Sequence, residues 1–115
     1  MNGYDLFQER DRLQRELSGA VHQMARYGND LAAAEADYKT ELAQTALKLK
    51  ADGMAATMIN LVVYGTDKVP KVRLKRDIAE VMYKSAQENI QSLKLQIRVL
   101  EAQIDREWGQ AKRSV

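Results

Sequence analysis

The chain of 115 residues has no cysteine, one proline, one histidine and few aromatics, with one Trp, five Tyr and one Phe. Without cysteine there are no disulfides, no thiolate nucleophile and no cysteine-based zinc site, a usage that fits a reducing compartment. A single histidine leaves no His-rich metal site and no Ser-His-Asp set. One proline and six glycines leave few obligatory breaks. The start, Met1-Asn2-Gly3-Tyr4-Asp5, carries no basic segment followed by an apolar one, so no secretory signal is read there. The most apolar stretch, Met54 to Tyr64, is interrupted by Thr57 and Asn60 and falls well short of the ~20 residues that span a bilayer. These features predict a cytoplasmic protein that does not enter membranes.

What the chain does contain is charge, 30% of its residues, nearly balanced at a net +2. Balanced charge with scarce aromatics is the composition of long solvated helices rather than of an α/β enzyme. Periodicity agrees. Leu6, Leu13, Ala20, Tyr27 and Ala34 recur every seven residues, and Leu17, Met24, Leu31 and Tyr38 lie four positions beyond members of that set. This 3-4 spacing is a coiled-coil seam. Gly28-Asn29-Asp30 is a possible break, yet the register runs through it without a skip, so one helix with a weak spot is expected, or else a kink. Beyond Tyr38 the apolar positions drift to Leu42, Ala46 and Leu49, until Asp52-Gly53 ends the helix.

Residues 54 to 64 read as a short helix with Met54, Met58, Leu61 and Val62 on one side and Gly65 as its C-cap. Val62-Val63-Tyr64 has β propensity, but a lone strand has nothing to pair with. Asp67 reads as an N-cap, with Pro70 in the first turn of the next helix. In that last segment Tyr83, Ile90, Ile97 and Ile104 alternate with Ala86, Leu93 and Leu100 at heptad spacing. Ile78, Val81, Met82, Leu95 and Val99 add apolar surface that widens the stripe. The predicted fold is a single all-α domain over residues 1–115: a long antiparallel hairpin of helices 4–51 and 68–112, with a short helix 54–64 at the bend.

A two-helix hairpin encloses no core, and off-seam Ile78, Val81, Leu95 and Val99 are expected to be exposed in a monomer. Covering each such side chain is worth roughly 1.5–3 kcal/mol. Self-association is therefore expected, most simply a dimer forming a four-helix bundle, with a different helical protein on the same flank as the alternative. Trp108 is placed to cover the bundle end against Tyr4, Leu6 or Phe7, or to anchor an interface.

Sites for chemistry are scarce. His22 falls off the seam with no helix-spaced glutamate or second histidine to share a metal. Asp77 with Glu80, and Glu35 with Asp37, are close pairs of carboxylates, a type that can bind metals. Arg73-Asp77, Arg76-Glu80 and Glu80-Lys84 are, however, i,i+4 pairs of opposite sign, and that surface pairing explains the helix 3 acids. No phosphate-binding glycine loop or nucleophile elbow occurs. No enzymatic activity, cofactor or metal is expected.

Charge is unevenly placed. Residues 1–52 carry 7 basic and 9 acidic side chains, and residues 53–115 carry 11 and 7. Lys68, Lys71, Arg73, Lys75 and Arg76 follow one another without an acid, and antiparallel folding brings Lys48 and Lys50 to the same tip. Positive charge at a helix N-terminus opposes the macrodipole. This cluster is the candidate contact for nucleic-acid phosphate or an acidic protein, with Tyr64 placed to stack on a base. The competing explanation is a solvated tip neutralised by Asp52, Asp67 and Asp77.

Ala34-Glu35 with Tyr38-Lys39, the string Leu47-Lys48-Leu49-Lys50-Ala51-Asp52-Gly53, Arg76-Asp77-Ile78-Ala79-Glu80 with Tyr83, Ser92-Leu93-Lys94-Leu95 and Arg106-Glu107-Trp108 together carry a resemblance. Over roughly residues 30 to 108 the chain resembles small uncharacterised helical proteins of phages and prophages of Gram-positive bacteria. The resemblance implies a bacterial host cell and genes lying among phage replication and recombination functions. It supplies no catalytic or binding residues. The small secreted helical hairpins with a Trp-x-Gly turn do not fit, since Trp108-Gly109 lacks the intervening residue and lies far from the bend. Two functions follow as expectations: a non-enzymatic oligomeric adaptor, or a nucleic-acid-binding accessory protein using the basic tip.

Overall fold

The computed structural model describes residues 3–113, with side chains described through residue 109. Among these residues there is no strand. The elements are α1 (Gly3–Ala51), α2 (Ala56–Val62), a 3-10 turn η1 (Val63–Gly65) and α3 (Val69–Arg113). This is the all-α helical hairpin that the two heptad patterns predict, with the short helix at the bend. Its contacts cluster in two compact units, one built from the chain up to Ala25 and from Ser85 onward, the other from Arg26–Lys84.

The first unit pairs the start of α1 with the second half of α3, antiparallel. Its core is a continuous cluster of Leu6, Leu13 and Ala20 from α1 with Ile90, Leu93, Ile97, Leu100 and Ile104 from α3. Phe7, Leu17 and Met24 pack against that cluster. Every one of the eight buried residues is a seam position, spaced so that successive side chains fall on one face of a helix. Trp108 meets Phe7 edge-on, with ring centroids 6.0 Å apart and planes at 64°, an arrangement that suits the aromatic quadrupoles. It leaves half of the indole in solvent.

The second unit has its own core, formed by Ile59, Val63 and Val69. Tyr38, Leu42, Ala46, Leu49 and Met54 pack against them. These are the positions to which the α1 pattern drifts after Tyr38, so the drift follows the turn of the apolar face toward the bend. The short helix presents a different face from the predicted one. Ile59 and Val63 point inward, whereas Met58 and Leu61 are exposed, Leu61 by 76%. Five of the six residues from 58 to 63 are apolar, so two faces have the right spacing and only the docking of α2 against Leu42, Leu49 and Val69 selects one.

The stop after α1 is a Schellman motif. Met54 N–H donates to the Leu49 carbonyl at 3.1 Å and Gly53 N–H to that of Lys50 at 3.0 Å. Gly53 has φ of +92°, which a Cβ would oppose. Met54 and Leu49 both join the second core, the hydrophobic contact that accompanies this motif. Gly65, by contrast, does not take the left-handed cap expected of it. It lies in η1, and Thr66 closes the turn by donating from its hydroxyl to the Val63 carbonyl at 2.7 Å. The N-cap position of α3 falls on Lys68, whose carbonyl accepts from Val72 N–H at 3.2 Å. Asp67 lies one residue outside, with a carboxylate oxygen 3.4 Å from Lys71 Nζ. Fully buried Val69 fixes this start, because moving the helix boundary would lift it from the core.

Gly28 does not break α1. A Cβ there would lie 3.3 Å from Tyr83 Cε2, closer than an ordinary van der Waals contact. The glycine therefore makes room for the Tyr83 ring, and the helix tolerates its poor propensity in return for that approach.

Candidate functional site

Helix α3 carries two apolar stripes instead of one broad one. The first, facing α1 in each unit, runs through Val69, Val72, Arg76, Ala79 and Tyr83 in the second unit. In the first it continues with Ala86, Ile90, Leu93, Ile97, Leu100 and Ile104, always at alternating spacings of three and four. The other consists of Leu74, Ile78 and Val81 in the second unit and Leu95 and Val99 in the first. Each of these five lies two residues from a member of the seam, a rotation of about 160° around the helix axis. Within each unit they lie on the face of α3 opposite that unit's seam. All are exposed: Ile78 by 54%, Val81 by 65%, Leu95 by 55% and Val99 by 59%, with Leu74 at 60%.

The four residues read from the sequence as self-association candidates are thus where a partner can reach them, but they do not widen the seam. Leu74, flanked by Arg73 and Lys75, is exposed in the same way and belongs with them. Its i+4 relation to Ile78 is the signal that finds it. Trp108, 52% exposed, rests on Phe7 and covers the end of the first unit's core.

Arg76 does not belong to a free basic tip. It occupies a seam position, with its guanidinium carbon 4.5 Å from the centroid of the Tyr38 ring across the helix pair. Its Nε and Nη2 donate to Asp77 Oδ1 at 3.1 and 2.8 Å. These hydrogen bonds, ahead of the weaker field of Glu80, push its affinity for the proton above that of an ordinary arginine. The predicted Arg76-Glu80 pairing is replaced because the ring of Tyr38 holds the guanidinium on the seam side. Glu80 instead accepts from Lys84, with Nζ 3.0 Å away.

The other predicted contacts disperse among acids and rings. Arg73 lies over the Tyr64 ring, 5.4 Å from its centroid, so Tyr64 already has a cationic stacking partner. Lys71 pairs with Asp67. Lys48 and Lys68 line a shallow depression that also contains Glu41, Asp52 and Asp67. Lys75 borders a second depression beside Asp30 and Asp37, floored by Ala33, Ala34 and Ala79. Lys50 is exposed in the last turn of α1, where its charge complements the helix dipole. Three of the acids here, Asp30, Asp37 and Glu41, come from α1, and sequence proximity along α3 could not reveal them.

Among the described residues no group of three or more His, Asp or Glu side chains could hold a metal ion. No described helix is long and apolar enough to cross a membrane. At the other end of α1, exposed Arg12 bridges Glu9 and Glu16. Two hydrogen bonds from Arg12, from Nε and Nη2 to the two carboxylate oxygens, hold the Glu9 carboxyl below the usual glutamate range. No family model matches the chain, and neither curated proteins nor solved structures give a match.

Proposed function

We propose that this protein is a non-enzymatic, self-assembling helical adaptor that works as a homodimer in the cytoplasm of a bacterial host, in a phage or prophage setting. The observation that carries the assembly is the exposed outer face of α3, where Leu74, Ile78, Val81, Leu95 and Val99 project into water. Each repeats a helical spacing that surface residues have no reason to keep unless a partner helix covers them. The phage setting rests on the sequence strings quoted above. Light scattering behind a sizing column tests the assembly. The expected species is a dimer of about 26 kDa, twice the 13.1 kDa chain. A monodisperse 13.1 kDa particle at micromolar concentration would sink it.

Nucleic-acid binding at the bend ranks second. Lys71 and Arg76 have carboxylate partners and Arg73 has a ring, which lowers the charge available to phosphate. Retention of DNA at low salt that falls steeply as salt is added would bring this function forward. Substituting Lys68, Lys71 and Lys75 with Glu should then abolish it.

A further inference from the structure

We infer that the bend built around α2 docks on an anionic lipid surface, with Met58, Leu61 and Tyr64 entering the headgroup region and the basic side chains on either side of α2 in the chain meeting lipid phosphates. The site lies wholly within the second unit. It uses a surface other than the outer face of α3, so it stands or falls apart from the homodimer proposed above.

Helix α2 and η1 carry more apolar side chains than their docking can hide. Ile59 and Val63 take the inward positions. Leu61, two residues beyond Ile59, is turned about 160° away from it and is the most exposed of the large apolar side chains described. Met58 and Tyr64 flank it at three-residue spacing and are also exposed. The three make a small apolar face. Tyr64 has the amphipathic ring that favours the boundary between water and lipid, and Arg73 lies over that ring.

Charge decides what covers this face. From Leu42 to Asp77 the chain has seven basic and three acidic side chains, whereas the remainder has 11 and 13. Lys48 and Lys50 precede α2, and Lys68, Lys71 and Arg73 follow it, all exposed. Asp67 and the acids around Lys48 and Lys68 blunt individual contacts with phosphate. They leave the basic surplus in place, and net charge is what draws a protein to a charged bilayer. A second copy would set this positive surface against itself. A nucleic acid matches the charge but leaves Met58 and Leu61 in water. An anionic bilayer accepts both features, because apolar side chains at headgroup depth leave water while cations meet phosphate, and stable attachment takes two such signals together. The ~20 apolar residues weighed in the sequence concern crossing a bilayer, which no described helix can do; contact with one leaflet needs only a few.

Co-sedimentation with vesicles of phosphatidylcholine and phosphatidylglycerol in equal parts, against vesicles of phosphatidylcholine alone, tests the docking. The full chain should pellet with the anionic vesicles, stay in solution with the neutral ones, and lose affinity steeply as salt is added. Leu61→Ser is expected to weaken binding roughly tenfold and Arg73→Gln roughly fivefold. Both should keep the helical circular dichroism of the parent, since both side chains are exposed. With no cysteine in the chain, Thr57→Cys, one helical turn from Leu61, accepts a single environment-sensitive fluorophore. Its emission should shift to the blue with anionic vesicles. No pelleting with anionic vesicles at low salt, equal pelleting with neutral ones, or an unshifted probe overturns the proposal. So does binding that Leu61→Ser leaves intact, since charge alone would then explain it. Retention of DNA or of an acidic protein without any vesicle binding gives the basic side chains to that partner and overturns it as well. None of these results bears on the assembly state of the parent chain.

Discussion

The Glu9 carboxyl belongs to an exposed ion pair, and its behaviour follows from the two hydrogen bonds that Arg12 donates to it. Arg12 donates to Glu9 three residues before it and to Glu16 four residues after it, so one guanidinium serves two carboxylates on the surface of α1. The Glu9 carboxyl titrates below its ordinary range because the charged form is the one Arg12 binds. A group whose folded-state pKa is depressed adds stability above its unfolded pKa and loses it as pH falls through the folded value. Stability therefore declines on acidification across that window, modestly, since both groups are solvated and screened. In a carboxyl-carbon NMR titration, Glu9 is expected to have a midpoint lower than that of solvent-exposed glutamates. Replacing Arg12 with Gln should return it to the ordinary range, and an unchanged midpoint would assign the shift to something else.

At the scale of elements, two glycines show how the same residue type serves different needs. Gly53 ends α1 because its positive φ places two backbone N–H groups on the last carbonyls. Gly28 lies within α1 because Tyr83 occupies the space a Cβ would fill. Their alanine variants should differ accordingly. Gly53→Ala forces a left-handed backbone on an L side chain and is expected to cost about 1–2 kcal/mol in urea denaturation. Gly28→Ala gains about 1 kcal/mol of helix propensity and gives much of it back against the ring, ending within about 0.5 kcal/mol of the parent. In a Tyr83→Ala background the propensity gain should emerge. If Gly28→Ala is as costly as Gly53→Ala even there, close approach to Tyr83 is not what the glycine provides.

For the molecule as a whole, the consequential feature is that apolar burial comes in two separate clusters. Leu6, Leu13, Ala20 and the α3 residues Ile90 to Ile104 form one, and Ile59, Val63 and Val69 the other. Between them along the chain, Tyr27, Leu31 and Ala34 on α1 and Val72, Ala79 and Tyr83 on α3 are half-buried, with none fully covered. Segments with few buried contacts open most readily. Amide exchange should thus be slowest at residues of the two clusters and faster at 27–34 and 72–83. Leu13→Ala, at a cost of about 2–4 kcal/mol, should speed exchange chiefly around residues 90–104. Val63→Ala should act chiefly on 38–49 and 59–69. Uniform acceleration by either variant would mean that one cooperative core spans the chain.

The amino-acid sequence alone determined the helices and the faces that join them. A seven-residue repeat can be satisfied only by placing those positions on one side of a helix, and each buried residue of the first unit is such a position. The end of α1 was equally legible, since Asp52-Gly53 can adopt the backbone geometry that continuation forbids. Choices among local options were decided only in three dimensions. The face of α2 depended on which apolar residue met Leu42 and Val69, and the N-cap of α3 moved to Lys68 because Val69 needed burial. Arg76 left the basic cluster when α1 supplied Tyr38 across the seam. Ile78, Val81, Leu95 and Val99 became a separate outer stripe once the angular position of the seam was fixed. Periodicity records which residues share a face, whereas the direction of that face depends on what the rest of the chain brings near it.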